Sequence, residues 1–69
     1  MRVYKINKQV GQRIQKIRKS QKISQEELGF RVGVHRNHIG RIERGETNAP
    51  LPLIDKIARV LKVPVSNLF

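Results

Sequence analysis

Residues Ser24 to Gly45 hold two short amphipathic stretches separated by a glycine, and no other run constrains the chain as much. Several helix-start signals agree at Ser24. Its hydroxyl suits an N-cap, and Glu27 three residues on completes a capping box. Ile23 and Leu28 flank the cap as a hydrophobic staple, while Gln25, Glu26 and Glu27 fill the first turn, where the glutamates complement the helix dipole. These signals predict a helix ending near Val32, with Gly33 in the left-handed conformation that closes a helix and turns the chain. Val34 and Ile39 form a weaker staple around His35, a poor capping residue, and the next helix stops at Gly45. In that helix Ile39 and Ile42 face one way, and Arg36, Asn37, Gly40, Arg41 and Arg44 share the opposite, outward face.

The rest of the chain reads as helices around this pair. Val10, Ile14 and Ile17 make one apolar stripe and predict a first helix over residues 8–21. Lys16, Arg18, Lys19 and Lys22 crowd its C-terminal half, where cations suit the dipole. Residues 1–7, with Val3, Tyr4 and Ile6, are too few for a sheet and are expected as an N-terminal arm or a strip packed on the body. A polar loop over 46–50 leads to a fourth helix from about Pro52, carrying Leu53, Ile54, Ile57, Ala58 and Leu61. Lys62-Val63-Pro64 breaks it, and Val65 to Phe69 forms a last turn or a short fifth helix. The expectation is an all-α, five-helix bundle in one domain over residues 1–69, with the paired-helix motif at 24–44.

Fifteen Lys and Arg stand against five Asp and Glu, a net charge of +10, which favours a polyanionic partner. An anionic membrane surface would call for a basic amphipathic helix with Trp or Phe on its apolar side, and no segment has that face. Cysteine is absent, which suits a reducing compartment. No apolar run approaches the ~18 residues of a membrane span, and Met1 to Ile6 lack the apolar region of a signal peptide. A cytoplasmic location is expected. His35 and His38 supply at most two ligands, short of a tetrahedral zinc site, so neither metal nor other cofactor nor small-molecule ligand is expected. Few acids, no cysteine and no clustered catalytic set point away from an enzyme.

The outward face carries the functional signal. Arginine pairs bidentately with guanine O6 and N7, and asparagine with adenine N6 and N7. Two short helices, the second studded with such side chains, are the helix-turn-helix solution for the DNA major groove. Arg36 and Asn37 lie at the helix start, the end that reaches base edges, so Arg36, Asn37 and Arg41 are expected base contacts. The plainer alternative is a solvated polar face. Gln25 begins the second helix, whose free N–H groups suit a phosphate, and His38, Arg44, Thr47 and Asn48 are further expected phosphate contacts, which fix register without reading sequence. Gly40 either lets the helix sit deeper in the groove or is idle.

Five segments in order resemble the Cro/repressor-type helix-turn-helix family. They are Gly11-Gln-Arg-Ile-Gln-Lys-Ile-Arg18, Ile23-Ser-Gln-Glu-Glu-Leu28, Gly33-Val-His-Arg-Asn-His-Ile39, Ile42-Glu-Arg-Gly45, and Ile57-Ala-Arg-Val-Leu-Lys-Val-Pro-Val-Ser-Asn-Leu-Phe69. The likeness spans about residues 10–69. Within the family, Val34 to Asn48 is most similar to controller proteins of restriction-modification systems, although phage repressors and antitoxins share the same core. Three departures stand out: Gly29 replaces the usual alanine, His35 the usual Ser or Thr cap, and Gly40 lies inside the recognition helix. Each of the two helical glycines costs roughly 1 kcal/mol in propensity.

The resemblance implies a phage-repressor-like DNA-binding domain acting as a sequence-specific regulator of transcription on double-stranded DNA. It implies that the Gln25 side chain binds phosphate or braces Arg36, and that Arg18 and Glu43 form an ion pair between the first and third helices. It also implies a two-fold interface near the C-terminus, where Leu53, Val63, Val65, Leu68 and Phe69 offer more apolar surface than one small core needs. A symmetric homodimer would then sit on a pseudo-palindromic operator. Two rivals remain open. A non-specific nucleic-acid coating protein would use the charge without the ordered face of Arg36 and Asn37. An antitoxin-type interaction module is expected to carry a segment beyond the fold, for which residues 1–69 leave no room.

Overall fold

A computed structural model describes the backbone of residues 2–69 and the side chains of residues 8–69. Four α-helices follow in order, α1 (Arg2–Ser20), α2 (Gln25–Val32), α3 (Arg36–Glu43) and α4 (Leu51–Leu61), then a 3-10 turn, Val65–Leu68. This turn stands where a last turn or a short fifth helix was expected, so the described bundle has four α-helices rather than five. Pro64 precedes it without a side-chain cap, and its bonds are of the short kind, Asn67 N–H to the Pro64 carbonyl at 2.9 Å. The expected N-terminal arm is also corrected: the backbone is helical from Arg2, so these residues are the opening turns of α1. Extending an existing helix is far cheaper than nucleating one, and no breaker separates residues 2–7 from the stripe that follows. The side chains of Val3, Tyr4 and Ile6 lie outside the described residues.

All four helices and the last turn contribute to one core, Val10 and Ile14 from α1, Leu28 and Val32 from α2, Ile39 and Ile42 from α3, Ile54, Ile57, Ala58 and Leu61 from α4, and Leu68. The α1 stripe departs from its expected course. Ile17 is half-buried, and the stripe runs from Val10 and Ile14 into the buried Arg18. Leu68 is fully buried in its own protomer, which removes it from the expected dimer surface: the 3-10 turn points it back between α1 and α4. Two glycines set the spacing of the bundle. A Cβ at Gly11 would run into the Ile42 carbonyl and stand 2.7 Å from that of Glu43, so α1 touches the end of α3 backbone to backbone. A Cβ at Gly29 would stand 2.6 Å from the Val34 carbonyl, so the turn packs on α2 more closely than alanine permits.

Local devices hold the helix ends. Ser24 Oγ accepts from the Glu27 N–H at 2.9 Å, but the Glu27 carboxylate turns to Arg31 at 2.6 Å, so half of the capping box forms. Gly33 adopts φ +83° and donates its N–H to the Gly29 carbonyl at 2.8 Å, closing α2. His35 caps α3: Nδ1 accepts from the Asn37 N–H at 3.0 Å, which requires an unprotonated lone pair on that nitrogen. At the far end of the bundle Gln21 Nε2 donates to the Leu61 carbonyl at 2.6 Å, satisfying the last turn of α4 from α1. Replacing His35 by alanine should cost about 1 kcal/mol in chemical denaturation, and His35→Ser should recover it. An alanine variant as stable as the parent would remove the imidazole from the capping role.

Candidate nucleic-acid interface

The inward face of α3 is fixed before its outward face means anything. Ile39 and Ile42 are buried against the core, and next to them Glu43 is 3% exposed. Arg18 reaches it from α1, with Nε to Oε2 at 2.6 Å and Nη2 to Oε1 at 3.0 Å, while Nη1 donates to the Ile23 carbonyl at 2.8 Å. Gln25, first residue of α2, donates Nε2 to Glu43 Oε1 at 2.9 Å. The cluster ties α1, the α1–α2 turn, α2 and α3 together. No buried side-chain nitrogen or oxygen among the described residues lacks a partner, the condition under which a buried charge pair is tolerated. Because a carboxylate only accepts, the Gln25 amide must turn its nitrogen inward and its oxygen outward.

With that face locked, Arg36, Asn37, Arg41 and Arg44 are exposed together along the other side of α3. Arg36 Nη1 lies 3.9 Å from Glu26 on α2. Arg44 holds Glu46 through Nε to Oε2 at 2.8 Å and Nη2 to Oε1 at 3.3 Å. That hydrogen bond, and the charge behind it, raise the arginine above its usual range and lower the carboxyl below its own. Gly45 at φ +74° creates the pair, reversing the chain so that the Glu46 N–H meets the Arg41 carbonyl at 2.9 Å. Gly40 is buried in a slot between two side chains: a Cβ there would stand 3.1 Å from Arg44 Nη1 and 3.6 Å from Gln25 Oε1.

The remaining expected contacts have more mixed surroundings. Gln25 engages Glu43, not Arg36, with its amide nitrogen. His38 is half-buried and lines a groove with Val34, Pro50, Pro52, Leu53 and Lys56, on the α4 side of α3. Thr47 is half-buried and borders a pocket of about 120 Å³ with Val10, Ile42, Ala49, Leu51, Ile54 and Phe69, while Asn48 is exposed in the same loop. Phe69 is 47% exposed, its carbonyl receiving Arg13, and Val65 is exposed while Leu53 and Val63 are half-buried. The sequence reading missed Leu51, 70% exposed beside Phe69, and Phe30, 83% exposed on α2 in a groove with Glu26, Val34, His35 and Arg36. It also missed Glu46, for which an acid two residues past the last arginine of the helix, across a glycine turn, was the available signal. Among the described residues no three of His, Cys, Asp and Glu converge to hold a metal, and no helix is long and apolar enough to cross a membrane.

An all-helical protein in which two short helices are set against each other across a left-handed glycine, the second showing a basic face to solvent, is a helix-turn-helix protein. The helix-turn-helix family model matches residues 14–68, and the chain belongs to that family. It is similar to control protein C.BamHI of Bacillus amyloliquefaciens, 42% identical over 59 residues, covering 84% of this chain and 73% of the relative. An uncharacterized helix-turn-helix-type transcriptional regulator of Archaeoglobus fulgidus is 42% identical over 57 residues, covering 83% and 80%. Among solved structures, the restriction-modification controller protein C.AhdI of Aeromonas hydrophila superposes with a TM-score of 0.90 at 36% identity, covering 96% of each chain. The chain is thus a DNA-binding transcriptional regulator, in a family of regulatory DNA-binding proteins rather than enzymes.

The buried pair has a measurable consequence. Arg18→Met leaves Glu43 buried with its main partner gone and should cost about 3 kcal/mol. Combining it with Glu43→Leu should recover much of that loss in urea unfolding. A double variant no more stable than the sum of two independent losses would show that the charges are not coupled.

Proposed function

We propose that the chain recognises a specific double-stranded operator by laying α3 in the major groove, and regulates transcription by occupying that site. The observation that carries this is the exposed row of Arg36, Asn37 and Arg41 on a helix packed inward through Ile39 and Ile42 and pinned at its end by Glu43. A rigid helix presents its side chains at defined positions, as base reading requires. Gln25, through the backbone N–H groups that open α2 and not through its inward-turned amide nitrogen, joins His38, Thr47 and Asn48 as the phosphate-contacting set in this reading. The similarity to control protein C.BamHI and to C.AhdI supports a role as controller of a restriction-modification system. Arg36→Ala should cost about 1–3 kcal/mol on the operator and relax preference at one base pair, whereas Asn48→Ala should weaken operator and altered sites alike. Equal loss on every sequence for Arg36→Ala, measured by competition binding, would favour a non-specific coating protein instead.

The working form is a symmetric dimer joined through Leu53, Val63, Val65 and Phe69, with Leu51 added to the set. Leu51 and Phe69 flank one apolar pocket and are both well exposed, which supports this end of the fold as the contact. Two-fold symmetry would set the recognition helices about 34 Å apart on a pseudo-palindromic site. Each protomer carries +10, so free protomers repel, and phosphates or added salt relieve the repulsion. Phe69→Glu should therefore weaken both self-association in sedimentation equilibrium and operator binding, with circular dichroism unchanged. A variant that still dimerises and binds like the parent would move the interface elsewhere.

A further inference from the structure

Arg44 does not extend freely from the end of α3. Glu46 takes its Nε at 2.8 Å and its Nη2 at 3.3 Å, engaging the guanidinium side-on. Among the described residues, the edge formed by Nη1 and the second hydrogen of Nη2 carries no hydrogen bond to another side chain. Nη1 lies 3.1 Å from where a Cβ at Gly40 would stand, so the group is folded back along the helix over Gly40, itself on the face that carries Arg36, Asn37 and Arg41. The side chain remains 57% exposed.

We infer that Arg44 is a base-reading residue for guanine, seated by Glu46 and by the missing side chain of Gly40, rather than one more phosphate contact. This rests on the proposal that α3 enters the major groove. Three observations point the same way. The free edge presents two parallel N–H groups, the donor pattern that guanine O6 and N7 accept. A carboxylate hydrogen-bonded to the arginine is a poor companion for a phosphate contact, because it brings like charges together, whereas at a base edge it fixes the fork with no phosphate opposed to it. Gly40 sits mid-helix at a cost in propensity, and the slot it leaves is filled by Arg44 Nη1 on one side and the Gln25 amide on the other. Glu46 is thus a positioning residue, acting through Arg44.

The test is selection of bound duplexes from random DNA with the parent chain, Arg44→Lys and Glu46→Gln, each checked for folding by circular dichroism. The parent should enrich sites with a guanine that Arg44→Lys no longer requires, its preference there falling about tenfold. Glu46→Gln should relax the same position while binding random duplex as tightly as the parent or more so, since a negative charge is gone. That opposite response of selectivity and general affinity is not expected of a merely structural salt bridge. Variants that keep every base preference and change affinity for all sequences by one factor would overturn the inference and return Arg44 to the phosphate set. A parent chain that enriches no sequence would instead overturn the operator-binding proposal on which it rests.

Discussion

The arrangement depends on two charges taken out of water. Arg18 and Glu43 meet between α1 and α3 with every polar atom used, the arginine also holding the Ile23 carbonyl and the glutamate also accepting from Gln25. An isolated helix of eight residues, the length of α3, is not stable in water. Packing of Ile39 and Ile42 keeps it folded, but apolar contact alone tolerates sliding and rotation. A buried carboxylate with three directed donors does not, because any displacement leaves a charge unpaired in a low dielectric. The pair converts a generic helix contact into a fixed orientation, and the outward row of side chains inherits that orientation.

What was legible in the sequence is what is decided locally. The cap at Ser24, the staple of Ile23 and Leu28, and the left-handed Gly33 depend on residues within a turn of one another, and the first two helices of the motif stand where those signals put them. His35 shows the limit of propensity: a poor cap on average, it serves because its ring nitrogen reaches the Asn37 N–H. The features that depend on where distant elements land were less visible. The apolar stripe of α1 pointed to Ile17, yet its buried continuation is Arg18, because Glu43 waits there from α3. That partner was reached by family resemblance and not by periodicity. Leu68 looked like surplus apolar surface until the turn after Pro64 returned it to the core.

The outward side of α3 was legible in its residue types and not in its hydrogen bonding. Arginines and an asparagine on one helical face can be read from spacing, but the partner that each side chain holds cannot. Gln25 follows a capping serine and reads as a group free for a phosphate; in the fold its amide nitrogen is committed to the interior. The cause is the buried Glu43 carboxylate, a partner that arrives from α3, and Gly40 lies beside that amide. A Cβ there would stand 3.1 Å from Arg44 Nη1 and in ordinary contact with the Gln25 amide, so the glycine that looked like a loss of helix propensity makes room for the folded-back Arg44.

Charge is divided between two tasks by residue type. All five side-chain carboxylates pair with arginines, Glu26 with Arg36, Glu27 with Arg31, Glu43 with Arg18, Glu46 with Arg44 and Asp55 with Arg59, and none of these pairs involves a lysine. A planar fork gains from a carboxylate that fixes its plane, whereas an ammonium is a hydrated point charge whose value lies in its long-range field. The lysines therefore supply attraction toward a polyanion that depends little on geometry, and the arginines supply geometry. Along α3 the division goes further. The arginines at its two ends each have a carboxylate beside them, while Arg41 between them is in no ion pair among the described residues. Both pairs are well exposed, so these carboxylates orient the two forks and add little to stability.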